Sequence, residues 1–316
     1  MIFVPVKADF ALPGWPVLTV LVCIVCLGIF LKQDSDWKDF NQAIDRYCQQ
    51  EDRRSRIRQI VFERIQTMKQ YRHCAEMMYT IATEQNGQEI IDEIVQGLDK
   101  LSGFKDRDDS RAYVRQMLED ELRMFETMVP DNPDHAFAYY TNSWNPLKML
   151  TSSFAHGDWL HIIFNLFFFF AFAATVETLM GPVAFLASIL VISLFTGVFS
   201  SVSAYASGVH YWTLGLSGVV MGMMGLYTYL LPRGKIRCYY WFIVIVGSIA
   251  VPAWALTLWF VGGDIWRLFT QDDHGFVNVM AHVTGGIAGY LFGFLFLRKA
   301  RERAKDLQLE LDLDGY

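Results

Sequence analysis

The sequence predicts an all-α polytopic membrane protein, with six transmembrane helices and a soluble helical insertion between the first two. Of its 316 residues, 53% are hydrophobic, and they include 25 Phe and 9 Trp. An α-helix needs about 20 apolar residues to cross a hydrocarbon core roughly 30 Å thick. Six apolar blocks, some interrupted by one or two polar residues, meet this need at about 15–32, 159–180, 183–203, 212–231, 239–261 and 277–297. Helices of soluble proteins do not stay apolar on all faces, so the blocks predict membrane spans.

The first block is predicted to be an uncleaved transmembrane helix within residues 1–33. Its apolar run from Val17 to Leu31 reaches the long end of a signal-peptide core, and no A-x-A-like cleavage site follows it. Asp9 and a lone Lys7 also argue against an Arg-rich transit peptide. We therefore expect an integral protein of a bacterial cytoplasmic membrane.

The segment 34–135 is predicted to be a soluble, acidic, helical insertion. Residues 33–135 hold 15 Lys or Arg against 22 Asp or Glu, which accounts for the chain's net charge of −6. Apolar residues at three-to-four spacing predict one helix over about 52–83 and a last helix capped by Asp109 or Ser110. Two stripes follow the first helix, through Ile90, Ile91, Ile94, Leu98 and Leu101 and through Val114, Met117, Leu118, Leu122, Phe125 and Met128. A membrane-surface helix is the alternative, but its polar face usually carries Lys and Arg.

The short loops predict the orientation in the membrane. The loop 232–237 reads PRGKIR, and the charged tail 298–316 opens with RKAR. Both lie on the same side when the predicted crossings are counted, and basic short loops are typical of the cytoplasmic side. The N-terminus and C-terminus are therefore expected in the cytoplasm and the insertion on the outer side.

Four strongly polar residues lie inside the predicted spans, where such side chains are costly and indicate function. His161 and Asn165 are in span two, Ser217 in span four and His282 in span six. These three spans all begin on the outer side, and each residue lies near the start of its span. At 1.5 Å per residue the four would lie about 5–10 Å below the outer surface.

Glycines at helical spacing accompany the serine and one histidine. Gly218, Gly222 and Gly225 follow Ser217, and Gly285, Gly286, Gly289 and Gly293 follow His282. Small residues on one face let helices approach closely in a membrane. We therefore expect spans four and six to bring His282 within hydrogen-bond reach of Ser217, which would be a weak nucleophile without such a base.

His161 and Asn165, one turn apart, are predicted to donate hydrogen bonds to the oxyanion that forms during such an attack. Gly215 is assigned with them to the oxyanion and substrate-binding set. No cofactor and no metal are expected. Structural alternatives remain for single residues, because a serine in a membrane helix usually bonds to its own backbone and Asn commonly bridges helices.

Four motifs occur in order along the chain: 151–165 (TSSFAHGDWLHIIFN), 176–181 (VETLMG), 215–218 (GLSG) and 281–289 (AHVTGGIAG). Together they resemble the signature of the rhomboid family of intramembrane serine proteases, over roughly 140–297. The first resembles that family's His and Asn of span two, the second its closing E…G, the third its G-x-S-G and the last its final-span A-H-x-x-G.

The resemblance implies a six-helix core within 136–297 plus the first span, and an endopeptidase that cuts transmembrane protein substrates near the outer face. It implies a Ser217–His282 dyad without a third acid, with the loop 262–276 as a cap over the site. Two features depart from the family pattern. The insertion is one, and it is a candidate for recruiting substrates or a partner protein. The other is Met221, at a position where members often place an aromatic that packs on the catalytic histidine.

Other function classes fit less well. No H-E-x-x-H occurs, so a zinc protease of that class is excluded, and nothing indicates nucleic-acid binding. Residues 261–264 (VGGD) nearly imitate an aspartyl-protease G-x-G-D, but Asp264 falls at a predicted span end without a partner. A transporter would show repeats or buried carboxylates. The main rival is a catalytically inactive relative that binds membrane clients, although Ser217 and His282 are both present. The cysteines, Cys23, Cys26, Cys48, Cys74 and Cys238, show no metal or disulfide spacing.

Overall fold

The computed structural model describes residues 2–8, 14–49, 87–242, 245–270 and 278–313. The chain divides into two compact units. The larger comprises Met1–Leu31 with Phe137–Tyr316, and the smaller comprises Lys32–Ala136. The predicted helix at 52–83 lies outside the described residues.

The described helices and strands are numbered here in chain order. The helices are α1 (Val17–Gln49), α2 (Gly87–Gln96), α3 (Arg107–Met128), α4 (Pro133–Phe137), α5 (Pro146–Thr151), α6 (Trp159–Met180), α7 (Pro182–Ser207), α8 (Ser217–Leu230), α9 (Ala253–Thr270), α10 (Val279–Phe296) and α11 (Arg298–Leu313). A short 3₁₀ turn, Ser152–Phe154, follows α5. The strands are β1 (Ile2–Ala8), β2 (Tyr139–Tyr140), β3 (Trp212–Thr213), β4 (Lys235–Phe242) and β5 (Ile245–Pro252).

Four of the described helices, α1, α6, α7 and α10, are long and apolar enough to cross a membrane. Their outer faces expose large aliphatic side chains such as Ile24, Leu160, Leu190 and Leu295. Such faces suit contact with lipid, because soluble proteins rarely expose so many large apolar side chains on one surface. The protein is therefore an integral membrane protein, and it is mostly helical.

Helix α8 is shorter than the predicted span four and lies inside the larger unit. It has 14 residues, and every residue from Gly218 to Tyr227 is buried. The expected start at 212 is wrong, because Trp212 and Thr213 form β3, which pairs with β2. Ser217 is thus the first residue of its helix, and the depth estimated for it from helix rise does not apply.

The prediction of an all-α chain, with a fifth span at 239–261, is wrong for residues 235–252. Strands β4 and β5 form an antiparallel hairpin there, and β1 pairs with the other edge of β4. These residues are rich in β-branched and aromatic types, which favour strands, and Gly247 and Pro252 would weaken a helix. A short apolar run fits a buried strand as well as a helix. Helix α9 starts at Ala253 and continues to Thr270, so it occupies the first part of the loop predicted at 262–276.

The predicted close approach of spans four and six is confirmed. A Cβ atom added to Gly285 would lie 2.2 Å from the carbonyl oxygen of Gly218, and one added to Gly289 would lie 1.9 Å from that of Gly222. Such distances are far below van der Waals contact, so only glycine fits at either place. The two helices therefore touch main chain to main chain.

A buried carboxylate holds the start of α1. Glu177, near the end of α6, accepts hydrogen bonds from the main-chain N–H groups of Leu18 and Thr19 at 2.9 and 2.6 Å. The Thr19 hydroxyl donates to the same carboxylate at 2.7 Å. The first N–H groups of a helix have no partner within it and attract negative charge, so Glu177 satisfies donors that would otherwise be buried unpaired.

The smaller unit has its own hydrophobic core, which confirms the second and third predicted helices of the insertion as α2 and α3. The core residues come from α1, α2, α3 and the segments between, and include Phe40, Ile44, Tyr47, Ile91, Ile94, Leu98, Val114, Leu118 and Phe125. The predicted cap of α3 is wrong by one turn, because the Asp106 carboxylate accepts from the Asp109 N–H. Cys48 is disulfide-bonded, which the cysteine spacing did not predict.

The contact between α8 and α10 predicts the effect of one methyl group. Gly289→Ala should destabilise the protein by about 1–3 kcal/mol or more, because the two main chains must separate. The measurement is the apparent Tm in detergent. Gly28→Ala is the matched control, since a Cβ there meets nothing within 4 Å. Equal melting of the two variants would contradict a close contact at Gly289.

Candidate active site

A cavity of about 590 Å³ in the larger unit contains all the predicted site residues in its lining. They are His161, Asn165, Gly215, Ser217 and His282. His161 and Asn165 come from the opening turns of α6, and His282 comes from the first turn of α10. Gly215 lies in the bend before α8, and Ser217 is the first residue of α8. The N-terminal ends of the three helices therefore meet at one cavity.

Ser217 is half-buried and begins α8 directly after a tight bend. Gly215 has φ of +121°, a conformation that side chains rarely adopt, and its N–H donates to the Ser152 carbonyl at 2.9 Å. This bend lets the chain turn into the helix at the serine. The first N–H groups of α8 have no acceptor within the helix, so the partial positive charge of the helix end lies beside Ser217.

His282 reaches the cavity from the first turn of α10, directly beside α8. Asn278 caps the helix by accepting from the Ala281 N–H at 3.0 Å. A Cβ on Gly218 would lie 3.4 Å from the Ala281 carbonyl oxygen, so the chain next to Ser217 packs on the chain next to His282. The Nδ1 atom of His282 lies 2.7 Å from Oδ2 of Asp264, which leaves the Nε2 atom for a second partner.

Asp264 is the residue that the sequence reasoning missed, and the expectation of a histidine without an acidic partner is wrong here. Asp264 lies within α9 and is 6% exposed. Its other oxygen, Oδ1, lies 3.5 Å from the Arg267 guanidinium. A charged residue inside a predicted span would have been a signal. The signal was lost because span five was placed at 239–261, which left Asp264 beyond its end.

His161 presents one edge of its ring to the bend before the serine. A Cβ on Gly215 would lie 2.8 Å from the Cε1 and Nε2 atoms of His161, so a side chain at 215 would collide with this ring. The Nδ1 atom of His161 accepts from the Gly157 N–H at 3.4 Å. A neutral ring whose Nδ1 accepts carries its proton on Nε2. The donor edge of His161 therefore faces the turn that leads into Ser217.

Asn165 lies one turn after His161 and is 7% exposed. Its side-chain amide donates one N–H to the His161 carbonyl at 2.9 Å, which leaves the second N–H of the amide for the cavity. His156 packs edge-on against His161, with ring centroids 5.1 Å apart. Burial, together with the neighbouring His161, lowers the pKa of His156 to about 3, so His156 is neutral near pH 7.

Met221 also lines the cavity, one turn after Ser217, and none of the α8 residues in the lining is aromatic. The aromatic rings of the lining come from other elements, namely β2, α6 and α9. Phe168 of α6 and Phe260 of α9 contact each other edge to face, with centroids 5.1 Å apart. The side chain that holds His282 at its Nδ1 atom is a carboxylate.

Comparison with known proteins identifies the family. The family model for the rhomboid domain matches residues 143–299. The chain is 30% identical over 164 residues to Rhomboid protease GlpG of Haemophilus influenzae. The aligned region covers 51% of this chain and 75% of that protein. The chain belongs to the rhomboid family. This rhomboid is also 25% identical over 164 residues to Putative rhomboid protease YdcA of Bacillus subtilis, covering 49% of the chain and 70% of the relative.

A further relative of this rhomboid is Rhomboid protein 1, mitochondrial, of Saccharomyces cerevisiae. It is 25% identical over 168 residues, which are 52% of this chain and 45% of that protein. The matched domain begins at 143, so it lies beyond the insertion 34–135. The predicted family membership is confirmed.

Proposed function

We propose that this rhomboid is an intramembrane serine endopeptidase that cleaves transmembrane segments of membrane proteins near the outer face. Ser217 is the nucleophile and His282 is its general base. The observation that carries this proposal is their joint position: both line one cavity at the adjoining ends of α8 and α10. With Nδ1 of His282 turned to Asp264, the Nε2 atom is the one available to take the serine proton.

The reaction is an acyl transfer in two halves. The Ser217 oxygen attacks the scissile carbonyl carbon, and its proton passes to Nε2 of His282. The imidazolium then gives this proton to the leaving amine nitrogen as the C–N bond breaks. A water molecule attacks the acyl-enzyme with His282 again as base. The ester bond breaks, a carboxylic acid product leaves, and Ser217 regains its proton.

The oxyanion of each tetrahedral intermediate needs donors that are already in place. The Ser217 main-chain N–H at the start of α8 is one such donor. The Nε2–H of His161 and the second amide N–H of Asn165 line the same cavity and complete the set. Gly215 allows the approach of His161, because any side chain at 215 would occupy the position of this ring.

Helices α8 and α9 are proposed to complete six spans with α1, α6, α7 and α10. The N-terminus and the tail 298–316 lie in the cytoplasm, and segment 34–135 lies on the outer side of a bacterial cytoplasmic membrane. The disulfide of Cys48 supports this orientation, because disulfides persist in oxidising compartments and are rare in the cytosol. The core 136–297 then opens its active site toward the outside.

The substrate must present an extended stretch to the serine. A helix hides its carbonyl groups in its own hydrogen bonds, so the substrate helix has to unwind at its outer end. Gly or Pro near the cut eases unwinding by roughly 1–3 kcal/mol each relative to Ala. We propose that segment 34–135 recruits such substrates before they enter the core.

The nucleophile and base are tested by Ser217→Ala and His282→Ala. Each should abolish cleavage of a model transmembrane substrate and leave the melting temperature unchanged. The double variant should be little worse than either single one, because the pair acts as a unit. Ser203→Ala and His210→Ala, which lie outside the cavity lining, are the matched controls.

A fluorophosphonate probe gives a second readout, because it reacts only with an activated serine. The wild-type protein should be labelled and the Ser217→Ala variant should not. Turnover in either single variant at the wild-type rate would contradict the assignment. If the wild-type protein neither cleaves nor reacts while it still captures membrane clients, the inactive client-binding relative is the better description.

The oxyanion donors are tested by His161→Ala and Asn165→Ala. Each should slow turnover by about 100- to 1,000-fold without abolishing it, because the Ser217 N–H remains. The matched control is Thr178→Ala. Thr178 makes a similar bond to the carbonyl four residues earlier at the other end of α6. Full turnover in both site variants would exclude them as donors.

The recruiting role is tested by replacing about 40–130 with a short linker. A purely recruiting segment predicts that a minimal transmembrane peptide is still cut, while full-length clients are cut poorly. Rates of cleavage are measured on both substrates with matched amounts of folded enzyme. Unchanged cleavage of both would dismiss recruitment, and loss of both would mean that the segment supports the active core itself.

A further inference from the structure

The strongest unexplained contact of the site is the one between Asp264 and His282. The carboxylate oxygen and the ring nitrogen are 2.7 Å apart, the distance of a charge-assisted hydrogen bond. Asp264 is 6% exposed, and the side chain of His282 is 12% exposed. A carboxylate is costly to bury, so its presence beside the proposed base indicates a role at the base.

The packing of α9 on α10 sets this contact. A Cβ on Gly286 would lie 2.9 Å from Cγ2 of Val261, so the two helices are close at that level. Val261 precedes Asp264 by about one turn, and Gly286 follows His282 by about one turn. The two helices run antiparallel. One turn further along the pair from Val261 and Gly286, Asp264 of α9 therefore lies opposite His282 of α10.

The contact fixes the chemistry of the ring. An ionised carboxylate only accepts hydrogen bonds, so Nδ1 of His282 must be the protonated nitrogen. The lone pair of the neutral ring is then on Nε2, the atom that has to take the serine proton. The same carboxylate stabilises the imidazolium that forms during the attack, as the acid of a serine-protease triad does.

We propose that Asp264 is the positioning residue for His282, so that this rhomboid works with a Ser217–His282–Asp264 triad inside the membrane. The proposal rests on the proposed function of Ser217 and His282. It also explains why Met221 is sufficient where an aromatic would otherwise hold the ring. The His282 ring is oriented by Asp264 of the neighbouring helix α9, so no side chain of α8 is needed to hold it.

The simpler alternative is that Asp264 only anchors its own helix through Arg267. Arg267 is 56% exposed, and its guanidinium lies 3.5 Å from Oδ1. An ion pair with one partner in water contributes about 0–1 kcal/mol. The bond to His282 is shorter and lies in the buried end of the side chain, so the two roles can be separated by substitution.

The first test compares kcat and KM in the full-length protein. Asp264→Asn should lower kcat by about 100- to 10,000-fold, because the amide no longer fixes one tautomer, while KM stays within about threefold. Asp264→Glu keeps the carboxylate and should recover at least about tenfold of that loss. Arg267→Gln and the exposed Asp306→Asn on α11 are the matched controls and should stay within about threefold of wild type.

Two outcomes would overturn the proposal. One is an Asp264→Asn enzyme with wild-type kcat. The other is an Arg267→Gln enzyme as slow as Asp264→Asn at equal melting temperature, which would make Asp264 a helix anchor only.

The second test does not depend on catalysis. Nitrogen-15 NMR of histidine-labelled Ser217→Ala protein reports which ring nitrogen of His282 carries the proton, with the His282→Ala spectrum as assignment control. The expected result is the Nδ1–H tautomer, shifting to a mixture when Asp264→Asn is added. Identical spectra with and without Asp264 would overturn the positioning role. If cleavage and labelling turn out to be independent of Ser217, the proposed function fails, and this spectrum still decides the proposal for Asp264.

Discussion

The main-chain contact between α8 and α10 is the constraint on which the site depends. Lipid tails are as apolar as the helices, so the hydrophobic effect does not drive α8 and α10 together. Their association has to be stabilised by close packing. Glycine at 285 and 289 brings one backbone against the carbonyl groups of the other. That distance sets how near Ser217 and His282 can come. A side chain of any size at these glycines would move the start of α8 away from the start of α10 and separate the two residues.

The placement of α8 explains how a polar site exists within an apolar protein. Helix α8 is surrounded by protein and not by lipid, so its N-terminal N–H groups can face a cavity instead of hydrocarbon. The ends of α6 and α10 meet it there and supply the two histidines and the amide. The polar groups of three helix ends therefore share one cavity that is enclosed by protein.

Much of the fold and most of the candidate site could be predicted from the sequence. The apolar blocks located α6, α7 and α10, and the glycine spacing predicted which helices meet. The hairpin at 235–252 was missed, because aromatic and β-branched runs satisfy helix and strand patterns alike. Because the fifth span was predicted at 239–261 and not at the position of α9, Asp264 was placed outside a span. Asp264 was therefore not recognised as a candidate site residue. The disulfide of Cys48 was missed because cysteine spacing alone does not show which thiols come together in the fold.

The carboxylate of Glu177 has a consequence for biogenesis. Its three hydrogen bonds all come from residues 18 and 19, which leave the ribosome long before α6 does. During synthesis α1 is therefore made well before α6. The hydrogen bonds from residues 18 and 19 to Glu177 can form only after α6 has been inserted and has packed against α1. A shortened chain that begins after α1 would retain the carboxylate with none of these donors. Such a chain should be less stable than the full protein, even though the cavity residues are all still present.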